Sequence, residues 1–141
     1  MSSMSGRITS ETELIETYLA PLAANVPGAF GLRDDAALLV PVAGTELVIS
    51  TDPIIAGVHF LPTDHPSDIA WKALAVNVSD LVGKGADPWV YTMALAFPAP
   101  PEHVWMADFA RGLDDAQRAP TGRLRPSSGV PLRCSLTTGD L

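Results

Sequence analysis

Apolar residues in the first 118 positions recur at intervals that predict three helices. The first covers 10–24 and starts with Ser10 and Glu13 in the spacing of a capping box. A longer helix is predicted over 67–84, because a serine precedes its apolar run and glycines follow it. The third is predicted over 102–119, after a proline-rich turn.

Short apolar runs between these helices predict strands. Segments 36–40 and 46–51 are separated by turn residues around Gly44, which predicts an antiparallel hairpin. Segment 89–97 predicts a third strand. The element order is then helix, strand, strand, helix, strand, helix, which indicates an α/β or α+β domain with a mixed sheet covered by helices.

The long helix is predicted to have two different sides. At about 100° per residue, Asn77, Asp80 and Lys84 lie within about 60° of one another on its flank, where a site is possible. The predicted core face consists of Ala70, Trp71, Leu74, Ala75, Val78, Leu81 and Val82.

Composition narrows the class of protein. The 141 residues are 47% hydrophobic and contain no apolar run of the ~18 residues that a membrane span requires. Cys134 is the single cysteine, which excludes an internal disulfide, and residues 1–10 lack the apolar core of a signal peptide. We therefore expect a cytoplasmic protein. Its net charge of −7 argues against nucleic acid or an anionic membrane as partner.

The charge is unevenly distributed along the chain. Residues 1–118 contain six basic and fifteen acidic residues, a net charge of −9, whereas 119–141 contain three arginines and one aspartate. That tail also lacks aromatic residues and a hydrophobic period. We predict a flexible segment at 1–10, one folded domain at 11–118 and a divergent tail at 119–141.

Three acidic clusters are candidates for chemistry. Asp34 and Asp35 precede one predicted strand, the run 50–52 ends the next, and Asp80 lies on the long helix. Carboxylates and hydroxyls from separate elements suit a hard cation such as Mg²⁺. Each cluster also has an ordinary explanation, because aspartates are common in turns and on solvated helix flanks.

His59 lies in an apolar stretch, where a lone histidine is more often structural than catalytic. His65 and His103 occupy predicted surface or capping positions. A hydrolase triad of Ser50, His59 and Asp80 lacks a nucleophile elbow, and the chain contains neither a Walker A motif nor a dinucleotide glycine fingerprint.

Taken together, the motifs resemble the N-terminal part of the thiamine-monophosphate kinase family, within the aminoimidazole ribonucleotide synthetase superfamily. The resemblance covers about residues 11–118, and the ensemble is more specific than any single motif. It is carried by GLRDDAALL at 31–39, ISTDP at 49–53, AGVHF at 56–60, KALAVNVSDL at 72–81 and GADP at 85–88.

The resemblance implies ATP-dependent phosphorylation of thiamine monophosphate to thiamine diphosphate, with several Mg²⁺ ions and ATP as co-substrate. It also implies a homodimer whose N-terminal domains join strands into a barrel. Because the acceptor phosphate is already ionised, we expect direct in-line transfer without a phosphoenzyme. The implied metal ligands are Asp35, Ser50, Thr51, Asp52 and Asp80, and the implied substrate contact is His59.

Two departures from the family pattern bear on activity. Arg33 stands where the family usually has glycine, and 122–132 contains no acidic residue where the family has a Gly-Gly-Asp-Thr element. The family's second domain is also missing, so we expect a truncated product, with an altered reading frame near Ala119 as one explanation. An inactive remnant that only binds Mg²⁺ and phosphate or dimerises stays open as the alternative. Selenophosphate synthetase is disfavoured, since no N-terminal catalytic cysteine is present.

Overall fold

Ser10 caps the first helical segment of the chain. Its hydroxyl accepts a hydrogen bond from the backbone N–H of Glu13 at 3.1 Å, and α1 spans Glu11–Leu14. The Glu13 carboxylate reaches back to the backbone N–H and hydroxyl of Thr9, at 2.8 and 2.7 Å. The predicted capping box is therefore confirmed, with the returning bonds made one residue before the cap.

The computed structural model describes residues 5–34 and 36–119. Beyond α1 the chain continues as a π-helical turn at Ile15–Leu19 and a 3₁₀ turn at Ala20–Ala23, followed by a second 3₁₀ segment at Pro27–Leu32. The change of winding occurs next to Pro21, whose ring removes a backbone donor and crowds the preceding turn. The segment predicted as one helix over 10–24 is therefore helical over 11–23, but with three kinds of winding.

Helices α2 (Pro66–Gly83) and α3 (His103–Arg118) pack against each other. They approach each other closely at Gly112, where a Cβ would collide with the Ser67 backbone. The Ser67 N–H also donates to the Asp108 carboxylate at 2.9 Å. The predicted bounds of both helices are confirmed to within one or two residues.

The core lies between these two helices and the first helical segment. Met106 and Leu113 of α3 are fully buried, as is Leu19 of the π-helical turn. The other buried apolar residues of this cluster are Ile8, Leu14, Ala23, Val26, Ala29, Leu32, Ile69, Ala70, Leu74 and Phe109.

The predicted core face of α2 is only partly correct. Ala70, Leu74 and Val78 are buried, whereas Trp71 is 43% and Val82 38% exposed. The buried stripe is narrower than predicted because α3 covers α2 on one side, so apolar residues at the edges of the face remain in solvent. The assignments of Trp71 and Val82 to the core were wrong.

No strand is present at 36–40, 46–51 or 89–97, all of which fall within the described residues. The turn between the first two segments forms, with the Thr45 N–H and hydroxyl both donating to the Val42 carbonyl and Gly44 at a φ of 80°. The flanking segments do not pair, because a two-stranded hairpin without a packed face is marginal in water. Ile49 is 84% exposed. The hairpin prediction was wrong, and the mixed sheet is unconfirmed.

Segment 91–97 nevertheless keeps the side-chain alternation of a strand. Tyr91, Met93, Leu95 and Phe97 are half-buried against the core, and the residues between them are exposed. Period-two burial is what a strand shows with one face on a core. The segment thus lies on the helices without a hydrogen-bonded neighbour strand among the described residues.

The N-terminal segment is bound to the start of α3. The Ile8 N–H donates to the Pro101 carbonyl at 2.9 Å, and the His103 N–H donates to the Gly6 carbonyl at 3.0 Å. The predicted flexible segment 1–10 therefore has residues 6–8 tied down, while 1–4 lie outside the described residues, as does the predicted tail from residue 120 onward. His103, predicted at a surface or cap, is instead 6% exposed at the first position of α3.

Within the described part of the chain, no helix is both long and apolar enough to cross a bilayer.

Candidate functional site

Segment 50–59 lies antiparallel along the flank of α2 and contacts it at three points. Later residues of the segment contact earlier residues of the helix. The segment has no regular structure apart from an isolated bridge at Ala56 and the turn that follows it. The three contacts are Ser50 with Asp80, Asp52 with Asn77, and His59 with Lys72.

Asn77 holds the backbone of Asp52 on both sides of that residue. Its Oδ1 accepts from the Asp52 N–H at 2.9 Å, and its Nδ2 donates to the Asp52 carbonyl at 3.0 Å. The same Nδ2 donates to the carbonyl of Ala73 one helical turn earlier, at 2.9 Å. The carboxylate of Asp52 takes no part in these bonds and lies exposed.

Ser50 donates its hydroxyl hydrogen to Oδ2 of Asp80 at 3.4 Å. Thr51 lies exposed between Ser50 and Asp52. Neither Asp52 nor Asp80 forms an ion pair with any residue in 5–34 or 36–119. Ser50, Asp80 and the backbone of Asp52 are thus brought to one flank of α2, and no ion pair neutralises either carboxylate among the described residues.

The fifth predicted metal ligand, Asp35, lies outside the described residues. Its neighbour Asp34 is exposed. The Leu38 N–H donates to the Gly28 carbonyl at 2.8 Å, which joins the two ends of the segment that we call the aspartate loop, 28–34 and 36–38 among the described residues. A Cβ at Gly28 would collide with the Leu38 backbone, so the close approach requires glycine there. The base of the aspartate loop is therefore well defined.

The backbone early in this loop adopts an unusual conformation. Phe30, Gly31 and Leu32 have φ values of 51°, 64° and 57°, in the left-handed region that favours glycine. Together with Glu16 and Ala20 of the first helical segment, Phe30, Gly31 and Arg33 line an open cavity of about 540 Å³. Arg33 therefore places a cation of the aspartate loop at the cavity.

His59 is fixed in a compact turn. Its ring Nδ1 accepts from the Ile55 N–H at 3.0 Å, and its backbone N–H donates to the Ile55 carbonyl at 2.8 Å. The Lys72 ammonium donates to the His59 carbonyl. Because Nδ1 is an acceptor, the proton of the neutral ring lies on Nε2, which makes that nitrogen a hydrogen-bond donor.

This geometry does not form a hydrolase triad. The Ser50 hydroxyl donates directly to Asp80, and Nδ1 of His59 is occupied by a backbone N–H rather than by a carboxylate. A triad requires the imidazole between the nucleophile and the acid. The order of contacts found here disagrees with that arrangement.

The donor set instead suits a hard cation. Carboxylate and hydroxyl oxygens are the ligands that Mg²⁺ prefers, and Mg²⁺ usually retains several water ligands. Within 5–34 and 36–119, no three His, Cys, Asp or Glu side chains are grouped closely enough to hold a metal by themselves. Among the described residues, Asp52 and Asp80 therefore do not by themselves form a complete metal site.

Two residues of the site were not recognised as such from the sequence. Lys72 was not singled out, and Asn77 was noted only for its place on the flank of α2. Their contacts reach main-chain atoms 13 positions away for Lys72 and 25 positions away for Asn77, so no local spacing in the sequence signals them. The flank of Asn77 and Asp80 was the one available signal.

Residues 33–141 match the family of AIR synthase related proteins, N-terminal domain. The match covers more than half of the chain and includes every residue of the site on α2 and segment 50–59. The chain belongs to this family. The matched range includes the flank of α2 and the aspartate loop from residue 33 onward. The first helical segment precedes it.

Several relatives are named thiamine-monophosphate kinase. The protein of that name from Synechococcus elongatus is 39% identical over 129 residues, covering 82% of this chain and 39% of the relative. The one from Escherichia coli K12 is 49% identical over 85 residues, covering 60% of this chain and 26% of the relative. The one from Caulobacter vibrioides is 40% identical over 104 residues, covering 74% and 30%. The chain thus spans less than half the length of these relatives.

Proposed function

We propose that this chain is the Mg²⁺- and nucleotide-binding part of a thiamine-monophosphate kinase, which phosphorylates thiamine monophosphate to thiamine diphosphate with ATP in the cytoplasm. The observation that carries the proposal is the convergence of Ser50, Asp52 and Asp80 on one flank of α2, within a family domain whose relatives bear that name. The finer statements below rest on this proposal.

The proposed metal ligands are Asp35, Ser50, Thr51, Asp52 and Asp80. Bound Mg²⁺ would neutralise charge on the phosphates of both substrates and align them. The protein's own part is to leave the carboxylates of Asp52 and Asp80 without an ion-pair partner among the described residues, and to hold the Asp52 backbone in place through Asn77. Hydroxyls of Ser50 and Thr51 add neutral oxygen ligands without further negative charge.

Phosphoryl transfer to a phosphate acceptor needs little help from a base. The acceptor carries a second pKa of about 6, so at neutral pH it is largely ionised. The principal barrier is then repulsion between two anionic groups, which the site lowers by binding and orientation. We therefore propose direct in-line transfer, in which the acceptor oxygen attacks the terminal phosphorus of ATP and ADP leaves.

His59 is proposed as the substrate contact. Its Nε2–H points away from the backbone bond at Nδ1, and the residue is exposed, so the ring is available to donate to an oxygen of bound thiamine monophosphate. A donor without net charge binds a phosphate oxygen without competing with Mg²⁺ for it. The two roles therefore occupy opposite ends of segment 50–59.

We also propose that a second copy of the chain completes the mixed sheet in a homodimer. Segment 91–97 has the alternation of a strand but is not assigned to a strand ladder among the described residues, and large apolar side chains are exposed in the two segments of the predicted hairpin. Strand addition would supply the missing hydrogen bonds and cover that surface. The most exposed of these side chains are Leu38, Val40 and Ile49, and Val42 in the turn between the two segments is exposed as well.

The alternative is a chain that binds Mg²⁺ and phosphates or dimerises without catalysis. The lack of an acidic residue at 122–132, where the family pattern has one, is the observation that favours it. Formation of thiamine diphosphate from thiamine monophosphate and ATP by the purified chain decides between the two. Asp52→Asn is expected to abolish that formation, whereas Asp115→Asn on α3 leaves it intact. No product from the wild-type chain, at Mg²⁺ concentrations where Mg²⁺ binds, would establish the alternative.

A further inference from the structure

Two polar residues of α2 bind the main chain of segment 50–59 rather than its side chains. Asn77 bonds to the N–H and carbonyl of Asp52, and Lys72 bonds to the carbonyl of His59. Contacts of this kind fix where a residue lies while leaving its functional group free. The carboxylate of Asp52 and the ring Nε2 of His59 are accordingly both left available for ligands.

The Asn77 amide is matched to this task. One Nδ2 hydrogen donates to the helix carbonyl of Ala73 and the other to Asp52, while Oδ1 accepts from Asp52. Exchanging Oδ1 and Nδ2 would place donor against donor and acceptor against acceptor, so the orientation of the amide is determined. The anchoring bond to Ala73 makes the side chain part of the helix rather than a mobile arm.

Lys72 acts on His59 through the turn. The ring of His59 is attached to the turn by the Ile55 N–H, and Gly57, at a φ of 78°, donates its N–H to the Phe60 carbonyl at 2.8 Å. The orientation of the imidazole therefore follows the main chain of the turn. Since Lys72 joins that main chain to α2, it also fixes the ring relative to the helix.

We propose that Asn77 and Lys72 are positioning residues that set the separation between the carboxylate of Asp52 and the imidazole of His59. The inference rests on the proposed function, in which these groups serve the metal and the substrate. A flexible chain of seven residues has an end-to-end spread of about 14 Å. Catalytic groups must be held within about 0.5 Å of their productive positions. Two attachment points on one rigid helix can keep the two groups at a defined separation.

Amide hydrogen exchange and ring ¹⁵N shifts of the 141-residue chain test the two contacts without any ligand. Loss of one hydrogen bond corresponds to about three- to tenfold faster exchange. Asn77→Ala is expected to speed exchange at the Asp52 amide by that factor. Lys72→Met is expected to speed exchange at the Ile55 amide and to shift His59 toward a mixture of ring tautomers.

Matched controls lie on the same helix. Ser79→Ala and Lys84→Met remove an exposed hydroxyl and the chain's other lysine, and should leave both readouts unchanged. Lys72→Arg retains a donor and should restore the His59 ring shifts. If Asn77→Ala fails to fold, Asn77→Asp keeps the acceptor for the Asp52 N–H and should preserve protection there. Unchanged exchange and ring shifts in both Asn77→Ala and Lys72→Met would overturn the proposal.

A second measurement reports the separation itself. Mn²⁺, bound in place of Mg²⁺, should broaden the His59 ring signals of the wild-type chain by a distance-dependent amount, and each variant should change that amount at equal Mn²⁺ occupancy. Broadening that stays identical in both variants would contradict the positioning roles. If the wild-type chain shows no Mn²⁺ binding, the proposed metal site fails, while the exchange and tautomer results still decide the two helix contacts.

Discussion

Tyr18 and His103 are 85 positions apart in the chain, yet the Tyr18 hydroxyl lies 2.8 Å from Nδ1 of His103. Nε2 of the same ring faces the Glu13 carboxylate at 3.6 Å. The ring of His103 therefore has a polar neighbour from the first helical segment at each of its two nitrogens. Because His103 is buried, these polar contacts join the first helical segment to α3 inside the core.

Tyr18→Phe is expected to destabilise the fold by about 1–3 kcal/mol, because Nδ1 of the buried His103 loses its partner. The free energy of unfolding from urea titration measures this cost. His65→Ala, at an exposed N-cap position without a side-chain cap bond, should change it by less than about 0.5 kcal/mol. Equal stability of Tyr18→Phe and the wild-type chain would show that the contact contributes nothing.

The Glu13 carboxylate links stability to pH. Hydrogen bonds from the Thr9 hydroxyl and then the Thr9 N–H lower its pKa below the ordinary value. A lowered folded-state pKa contributes stability above the unfolded pKa of about 4.3, and that contribution is lost as the pH falls through the folded-state value.

We therefore expect Glu13→Gln to weaken the loss of stability on acidification. Melting temperatures measured between pH 7 and pH 3 should converge for Glu13→Gln and the wild-type chain at the acid end. Glu11→Gln removes a carboxylate from the same turn without removing the bonds from Thr9, and serves as the matched control. Parallel curves for Glu13→Gln and the wild-type chain over the whole range would contradict the assignment.

Gly112 marks the contact between α2 and α3. Because a Cβ there would meet the Ser67 backbone, Gly112→Ala is expected to cost about 1–3 kcal/mol through separation of the two helices. Gly83→Ala, at the end of α2 with open space around it, is the control and should be neutral or stabilising by about 0.5–1 kcal/mol. Thermal unfolding of the two variants distinguishes the steric effect from helix propensity. Helix propensity alone would stabilise both variants, whereas the steric effect destabilises only Gly112→Ala.

The helices were predictable because their signals are local. Ser10 and Glu13 specify the first cap within four residues, and the bounds of α2 and α3 follow from nearby glycine and proline. The strands predicted at 36–40 and 46–51 are absent from the structure. A strand is stabilised by a partner strand, and no local sequence pattern determines whether that partner is present. The strand predicted at 89–97 is likewise absent, although burial alternates along 91–97 as it would in a strand.

The candidate site shows the same division. The flank that carries Asn77 and Asp80 was predicted from helix geometry, and the structure brings Ser50 and Asp52 to that flank. The contact of Lys72 with His59 was not predictable, because it joins a side chain to a backbone carbonyl across 13 positions. Because main-chain atoms are the same in nearly every residue, a contact to them does not require a particular residue type and cannot be recognised from the sequence.

Addition of Mg²⁺ should stabilise the folded chain through Asp52 and Asp80. At a concentration ten times the dissociation constant, a ligand that binds only the folded state contributes about 1.4 kcal/mol, and removal by EDTA should reverse the effect. Asp52→Asn and Asp80→Asn should each reduce the Mg²⁺-dependent rise in melting temperature, because each removes a carboxylate that lacks a basic partner. Asp64→Asn, whose carboxylate accepts from the Leu61 N–H in the loop before α2, is the control for lost charge. If the Mg²⁺-dependent rise in melting temperature were the same in all three variants as in the wild-type chain, Mg²⁺ would be acting only by screening charge. The flank of α2 would then not bind it.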